Sequence, residues 1–266
     1  MKKIYRYGLG LLLLMSVKVQ AQNQQVIDAI IKEASENSQL ETLAHELLDG
    51  IGPRLVGTPQ MQQAHEWAEK QYQTWGIEAK NEKWGEWRGW DRGITHIDMV
   101  EPWVRTLAGT QLSWSPSSPE GGLTAEVIVL PDLQDSVAFQ NWLPSVKGKY
   151  VMISAPQLTG RPDDNWEKWG TEESFEAIKE RRAALEKAWL ERTQKTGKNR
   201  TSLPIALENA GAVGVVTSYW SRALGANKIF SASTRQVPTI DLSIEDYGML
   251  FRLVESGKKP KIHVNA

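Results

Sequence analysis

The stretch Glu46-Leu-Leu-Asp-Gly-Ile-Gly-Pro-Arg-Leu-Val-Gly-Thr-Pro59 holds the clearest local signals in this chain. Apolar residues at helical spacing lead into it, and Gly50 is predicted to end that helix in the left-handed conformation. The pair Gly52-Pro53 predicts a turn. Thr58 is expected to cap a further helix, because the proline after it tolerates the first helical position. That helix is predicted to end at Gly76.

The rest of the chain alternates predicted strands with predicted helices, which is typical of an α/β protein. One strand is an almost continuous apolar run, as expected for a strand that is buried on both faces. The predicted strands are Ile77–Trp84, Ile94–Val100, Leu123–Leu130, Tyr150–Ser154, Ala212–Thr217, Val237–Leu242 and Lys261–Asn265. The other predicted helices are Gln24–Ala34, Val137–Trp142, Thr171–Thr196, Leu203–Ala210 and Ser243–Ser256.

The first residues have the pattern of an export signal that is cleaved after Ala21. Their apolar part is too short for a permanent transmembrane helix, which needs about 20 residues. The chain has no cysteine, which excludes disulfides and a lipoprotein anchor. Its net charge is −1 without a long basic run, so nucleic acid is not an expected partner. We therefore expect an exported protein, periplasmic or extracellular, without a transmembrane anchor.

Two blocks of the sequence carry a family resemblance. The first comprises Leu47–Pro59, Ala64-His-Glu-Trp67 and the Trp84–Trp90 loop. It is similar to the start of the catalytic domain of secreted di-zinc exopeptidases, the aminopeptidases and carboxypeptidase Q-like enzymes. The second block, Leu207–Val216 followed by Val237–Ile240, resembles the protease-associated domain that carboxypeptidase Q-like enzymes carry as an insertion.

This resemblance implies an α/β fold made of the amino-terminal part of a zinc-exopeptidase domain and an inserted α/β protease-associated domain. We expect a signal peptide over 1–21 and the first catalytic-domain segment over 22–115. The protease-associated domain is expected over 116–257, and 258–266 would begin the return into the catalytic domain.

The resemblance also implies peptide substrates and a reaction in which two zinc ions activate a bridging water. In family members with this domain order, the metal ligands follow the inserted domain, which here would be after Ala266. We therefore expect no catalytic, cofactor-binding or metal-binding residue in this chain, no bound zinc, and no peptidase activity from it alone.

Residues of the ligand types do occur in the family's order, as His96-Ile-Asp98, Glu172-Glu173 and His263. His96 and Asp98 share a strand face by the two-residue period. Glu172 and Glu173 start a predicted helix, where acidic residues commonly oppose the helix dipole. These positions favour stability or surface polarity over a zinc site. His65 lies on a helix but lacks the second histidine of a His-Glu-x-x-His zinc motif.

Trp84, Trp87 and Trp90 lie in a loop rich in glycine and charge. Packing in a core or loop is predicted for them, and a sugar-stacking platform is the alternative. A second function of a different class also remains open: a secreted, non-catalytic module that binds peptides or proteins. A truncated reading frame is a third interpretation. The oligomeric state is not predicted.

Overall fold

The computed structural model describes residues 23–266. The predicted export signal and its cleavage site after Ala21 lie outside the described residues. The chain divides into two compact units, one that ends at Gly89 and one that runs from Trp90 to Ala266. Within residues 23–266, no helix has the length and apolar character that crossing a membrane requires.

The first unit is helical. Its elements are helix α1 over 23–36, α2 Leu40–Ala44, a π-helical continuation His45–Ile51, and α3 Pro59–Thr74.

The helix before the Gly-Pro turn ends later than the sequence predicts. Gly50 belongs to the π-helical segment, and Gly52 is the residue with a positive φ of 83°. The Arg54 guanidinium donates to the carbonyl oxygens of Leu47 (2.6 Å) and Gly52 (2.7 Å), so it binds two carbonyls at the end of that helix. The wide π turn thus moves the stop by two residues.

Two predictions at the ends of α3 are confirmed. The Thr58 side chain accepts a hydrogen bond from the amide of Met61, and proline occupies the first turn. Gly76 has a φ of 75°, which suits a glycine directly after a helix. The helix is tied to the π-helical segment by Glu46, whose Oε2 accepts from the Trp67 indole at 2.8 Å.

The strand predicted over Ile77–Trp84 is wrong. Residues 77–95 contain no strand, and Ile77 is 50% exposed. An isolated extended segment gains little in water unless its backbone pairs with a neighbouring strand, and here no neighbour is provided.

The second unit is built on one eight-stranded sheet with the order β2-β1-β8-β4-β5-β6-β7-β3. Strands β4 to β7 are parallel, and the remaining pairings are antiparallel. The strands are β1 His96–Glu101, β2 Arg105–Thr106, β3 Gly109–Gln111, β4 Leu123–Val129, β5 Tyr150–Met152, β6 Gly214–Thr217, β7 Thr239–Leu242 and β8 Lys261–Asn265.

The helices of this unit connect the parallel strands or follow them. They are α4 Ser136–Trp142 with a 3-10 turn Leu143–Val146, α5 Asp163–Trp169, α6 Glu172–Lys195, α7 Ser202–Asn209 and α8 Ile244–Glu255. Thr171 and Ser243 cap α6 and α8 through their hydroxyls, which accept from the amides of Ser174 and Asp246. The α/β fold class predicted from the sequence is confirmed.

Two hydrophobic clusters hold the sheet between its helices. One contains Tyr150, Met152 and Val216 with Tyr247 and Leu250 of α8. The other contains side chains from α4, α7 and the strand residues that alternate with the first set: Phe139, Val151, Leu203, Leu207 and Val215. All four residues of β6 are buried, as its apolar composition predicts.

Two strands that precede residue 115 belong to the same sheet as the strands that follow it. Strands β1 and β3 precede that position, and both are hydrogen-bonded into the same sheet as β4 to β8. The assignment of 116–257 as a protease-associated domain stays a prediction.

Candidate functional site

Three of the ligand-type residues noted in the sequence meet on one face of the sheet. Asp98 of β1 lies directly opposite His263 of β8 in the antiparallel ladder, and His96 lies opposite Asn265. His263 in turn lies opposite Thr124 of β4. Because alternate residues of a strand share a face, these side chains are neighbours although 164 residues separate Asp98 from His263 in the chain.

Each of the two central side chains has a hydroxyl partner. The Thr106 hydroxyl donates to Asp98 Oδ1 at 2.7 Å, and His263 Nδ1 is 2.9 Å from the Thr124 hydroxyl. The His263 ring packs over Gly122, where an added Cβ would be 2.6 Å from Nε2. The imidazole therefore occupies a position that only glycine leaves open.

Glu172 and Glu173 do not join this group. They lie in the first turn of α6, behind the Thr171 cap. In the part of the chain from 23 to 266, no three or more His, Cys, Asp or Glu side chains are placed to hold a metal ion. The aspartate and histidine that face each other thus form a polar pair on the sheet surface.

The aromatic loop is only partly packed. Trp84 is 92% exposed and Trp87 is 62% exposed, so the predicted burial of these two rings is wrong. Both line a groove of about 760 Å³ beside α3, which also contains His65 and Thr58. Trp90 differs, since it is half-buried and its indole donates to the carbonyl of Ser115 at 3.2 Å.

A buried carboxylate organises the carboxyl end of β6 and β7. Asp241 is 1% exposed and accepts from the Thr217 hydroxyl (2.8 Å), the Tyr219 amide (2.9 Å) and the Asn227 amide group (2.6 Å). Burial raises the pKa of this carboxyl above its usual range, while the three donors oppose that shift. These bonds fix the loop that leaves β6.

A second buried group sits at the end of β5. The Tyr247 hydroxyl donates to the carbonyl of Ser154 at 2.6 Å and accepts from the amide of the same residue at 2.8 Å. Burial raises the pKa of this phenol, so it stays protonated as a donor. The Trp189 indole satisfies the neighbouring carbonyl of Ile153 at 3.0 Å. Helices α6 and α8 therefore position the backbone after β5.

Glu208 at the end of α7 binds a turn of the chain. It is 9% exposed, and its Oε1 accepts from the amides of Arg235 (2.9 Å), Gln236 (2.5 Å) and Val237 (3.0 Å). Sequence patterns do not reveal this residue, because its partners lie 27 to 29 positions away. These hydrogen bonds hold the turn that leads into β7.

Comparison with solved structures gives the fold relationship. The crystal structure of a peptidase M28 precursor from Shewanella amazonensis SB2B has a TM-score of 0.56 and is 21% identical in sequence. That match covers 92% of this chain and 50% of the other. No family model matches the chain.

Comparison of sequences gives the relatives. Mouse carboxypeptidase Q is 24% identical over 274 residues, which cover 99% of this chain and 50% of that protein. Rat carboxypeptidase Q is 30% identical over 160 residues, which cover 58% of this chain and 33% of that protein. The chain thus spans half or less of the length of these relatives. The resemblance to carboxypeptidase Q-like exopeptidases that the sequence predicts is confirmed.

Proposed function

We propose that this chain is the amino-terminal part of a secreted zinc metallo-exopeptidase that removes residues from the end of peptides. The observation that supports this most is the extent of the similarity to mouse carboxypeptidase Q. It runs over 99% of this chain and only 50% of that protein. Export would follow from the signal proposed over 1–21.

The side chains of residues 23–266 do not fit a di-zinc centre. Such a centre requires several carboxylate and imidazole ligands around two ions, with a base for the bridging water. Among residues 23–266 no group of three or more such side chains is placed for metal binding. In the complete enzyme, the ligands are therefore proposed to come from a segment other than 23–266.

The described chain would act as a scaffold for that segment. Its sheet is stabilised by buried apolar residues on both faces and by the buried hydrogen bonds of Asp241, Tyr247 and Glu208. We propose that 116–257 is the protease-associated domain, and that peptide substrates bind to the complete enzyme.

Hydrolysis assays test the proposal. The purified 266-residue chain is mixed with zinc and with amino-acyl p-nitroanilides or dipeptides. We expect this chain alone to show no hydrolysis that can be abolished by a chelator. A longer product of the same gene that carries a His-x-Asp pair and a Glu-Glu pair after residue 266 is expected to hydrolyse them. Chelator-sensitive hydrolysis by the shorter chain, lost in His263→Ala, would contradict the proposal.

A non-catalytic binding module is the second candidate. It is favoured by a pocket of about 520 Å³ at the carboxyl edge of the parallel strands, a usual position for ligands in such sheets. Failure of the longer gene product to hydrolyse any peptide, together with ligand binding by this chain, would favour the module over the exopeptidase.

A further inference from the structure

The pocket at the carboxyl edge of β5 and β6 is formed by backbone that leaves two neighbouring parallel strands. Ile153, Ser154 and Ala155 follow β5, and Ser218 and Tyr219 follow β6. The last turns of α6 form one wall, and the segment leading into α7 forms the other. Its volume of about 520 Å³ lies within the range of small-molecule sites in proteins.

One side of this pocket is apolar. It is lined by Ile153, Trp189, Leu190 and Leu203. Leu190 is 57% exposed, which is unusual for a leucine beside a core and leaves its side chain available to a ligand. Burying such a surface is favourable by roughly 25 cal/mol per Å² of apolar area. A ligand with an aliphatic or aromatic group would therefore gain from entering.

The other side of the pocket is cationic. Lys198 and Arg200 both line it, and neither has a carboxylate within ion-pair distance among residues 23–266. The Arg200 guanidinium is held over the rings of Tyr219 (4.6 Å) and Phe230 (4.8 Å). Stacking of this kind orients the planar group. One side of the guanidinium interacts with the Tyr219 hydroxyl, and because the group carries five N–H donors, others remain available to an anion.

The acidic residue in the lining, Glu186, is paired with Arg222, which also lies 3.6 Å from Asp163, so two cations face one paired carboxylate in the lining. Glu186 accepts from the Arg222 guanidinium at 2.8 Å. The net charge that a ligand meets is therefore positive. A carboxylate suits this environment, because guanidinium and ammonium groups bind it through charge-assisted hydrogen bonds.

A buried hydroxyl in the pocket lining lacks a partner. Ser218 is 5% exposed, and its Oγ has no hydrogen-bond partner among the described residues. Its backbone amide donates instead to Ser154 Oγ at 3.1 Å. A buried polar group without a partner destabilises the protein, and a ligand that bonds to it would remove that penalty.

We propose that this pocket binds a small carboxylate attached to an apolar group, such as the terminal residue of a peptide or a short organic acid. Lys198 and Arg200 bind the carboxylate. The surface of Trp189, Leu190 and Leu203 receives the apolar group, and Ser218 donates to or accepts from its polar part. The proposal does not depend on the exopeptidase assignment, since binding is measured without turnover.

Binding is tested by titrating the full chain with N-acetyl-leucine, N-acetyl-leucinamide and hexanoate, using calorimetry and the NMR signal of the Trp189 indole. For ligands of this size we expect a dissociation constant of about 1 mM. N-acetyl-leucine should bind at least tenfold more tightly than its neutral amide. If hexanoate binds more weakly than N-acetyl-leucine, the preferred ligand is the end of a peptide. If hexanoate binds more tightly, the preferred ligand is an organic acid.

Variants then assign the roles of the lining residues. The double variant Lys198→Met, Arg200→Met should bind N-acetyl-leucine at least tenfold more weakly than the wild type. Lys187→Met removes one positive charge from an exposed position of α6 outside the pocket and should leave its affinity within twofold. Ser218→Ala should weaken binding while leaving the empty protein as resistant to urea as the wild type or more so, because the unsatisfied hydroxyl is removed.

Three results would overturn the proposal. The first is no saturable binding of either carboxylate up to about 20 mM, well above the expected dissociation constant. The second is equal binding of the acid and its amide. The third is an unchanged affinity in the double variant, shown to be folded by its circular dichroism.

Discussion

The hydrogen bonds that the Glu208 carboxylate accepts permit a quantitative prediction about the free energy of unfolding. Its Oε1 accepts three backbone amides, and Arg235 N is also 3.1 Å from Oε2. Hydrogen bonds to a charged group contribute about 1.5–3 kcal/mol each when measured singly, and neighbouring bonds are not additive. Replacing Glu208 by alanine leaves three amides without their acceptor. We expect the free energy of unfolding to fall by about 3–5 kcal/mol.

Glu208→Gln is the matched comparison. The amide oxygen can keep the bonds now made by Oε1, whereas the charge is lost and an NH₂ group faces Arg235 N. We therefore expect a loss of about 1–2 kcal/mol for this variant. The measurement is urea unfolding followed by circular dichroism at neutral pH.

Glu180→Ala is the control for helix composition and charge. Glu180 is exposed on α6, so its removal should change stability by less than about 0.5 kcal/mol. The reasoning is refuted if Glu208→Ala unfolds at the same urea concentration as this control, or if the alanine and glutamine variants lose the same amount.

Other buried and exposed groups give further predictions. Tyr247→Phe leaves both backbone groups of Ser154 without the hydroxyl, so urea unfolding should show a loss of about 1–3 kcal/mol; an unchanged midpoint would contradict this. Asp241 has a raised pKa when folded, so its contribution to stability is greatest below its unfolded pKa of about 3.9 and declines as pH rises through the folded value. The free energy of unfolding of the wild type, relative to that of Asp241→Asn, should therefore fall as the pH rises above 4. A difference that does not change with pH would refute the raised pKa of Asp241. Trp84→Ala should change the midpoint of thermal unfolding little, while Phe139→Ala, which is fully buried, should cost about 3–5 kcal/mol; similar losses in both would contradict the burial described.

The cap and the end of α3 are local signals that the sequence predicts correctly. Thr58 caps α3 as predicted, because the cap involves an amide only three residues ahead. Thr171 and Ser243 make the same contact at α6 and α8. The apolar run at β6 also correctly predicts burial on both faces. These features depend on the local chain alone.

Features that depend on distant partners are not read correctly. The extended segment over Ile77–Trp84 has strand-like composition but no neighbouring strand. Gly50 suits a helix stop, yet the π turn carries the helix on to Ile51. In each case the outcome depends on surrounding structure that composition does not specify.

The candidate site shows the same limit. Asp98 and His263 are both visible in the sequence, but only the register between β1 and β8 shows that they face each other. The pocket cations Lys198 and Arg200 lie in an ordinary loop, and nothing local indicates that the end of β6 lies against them. Ligand sites at a sheet edge are assembled from several strands, so the fold is needed to find them.

The central proposal is that residues 23–266 do not supply the ligands of a di-zinc centre. The most direct measurement is the metal content of the purified 266-residue chain after incubation with excess zinc and dialysis, determined by mass spectrometry. The account predicts much less than one zinc per chain, with no difference between wild type and Asp98→Asn. Two zinc ions per chain in the wild type, lost in Asp98→Asn or His263→Ala, would contradict it.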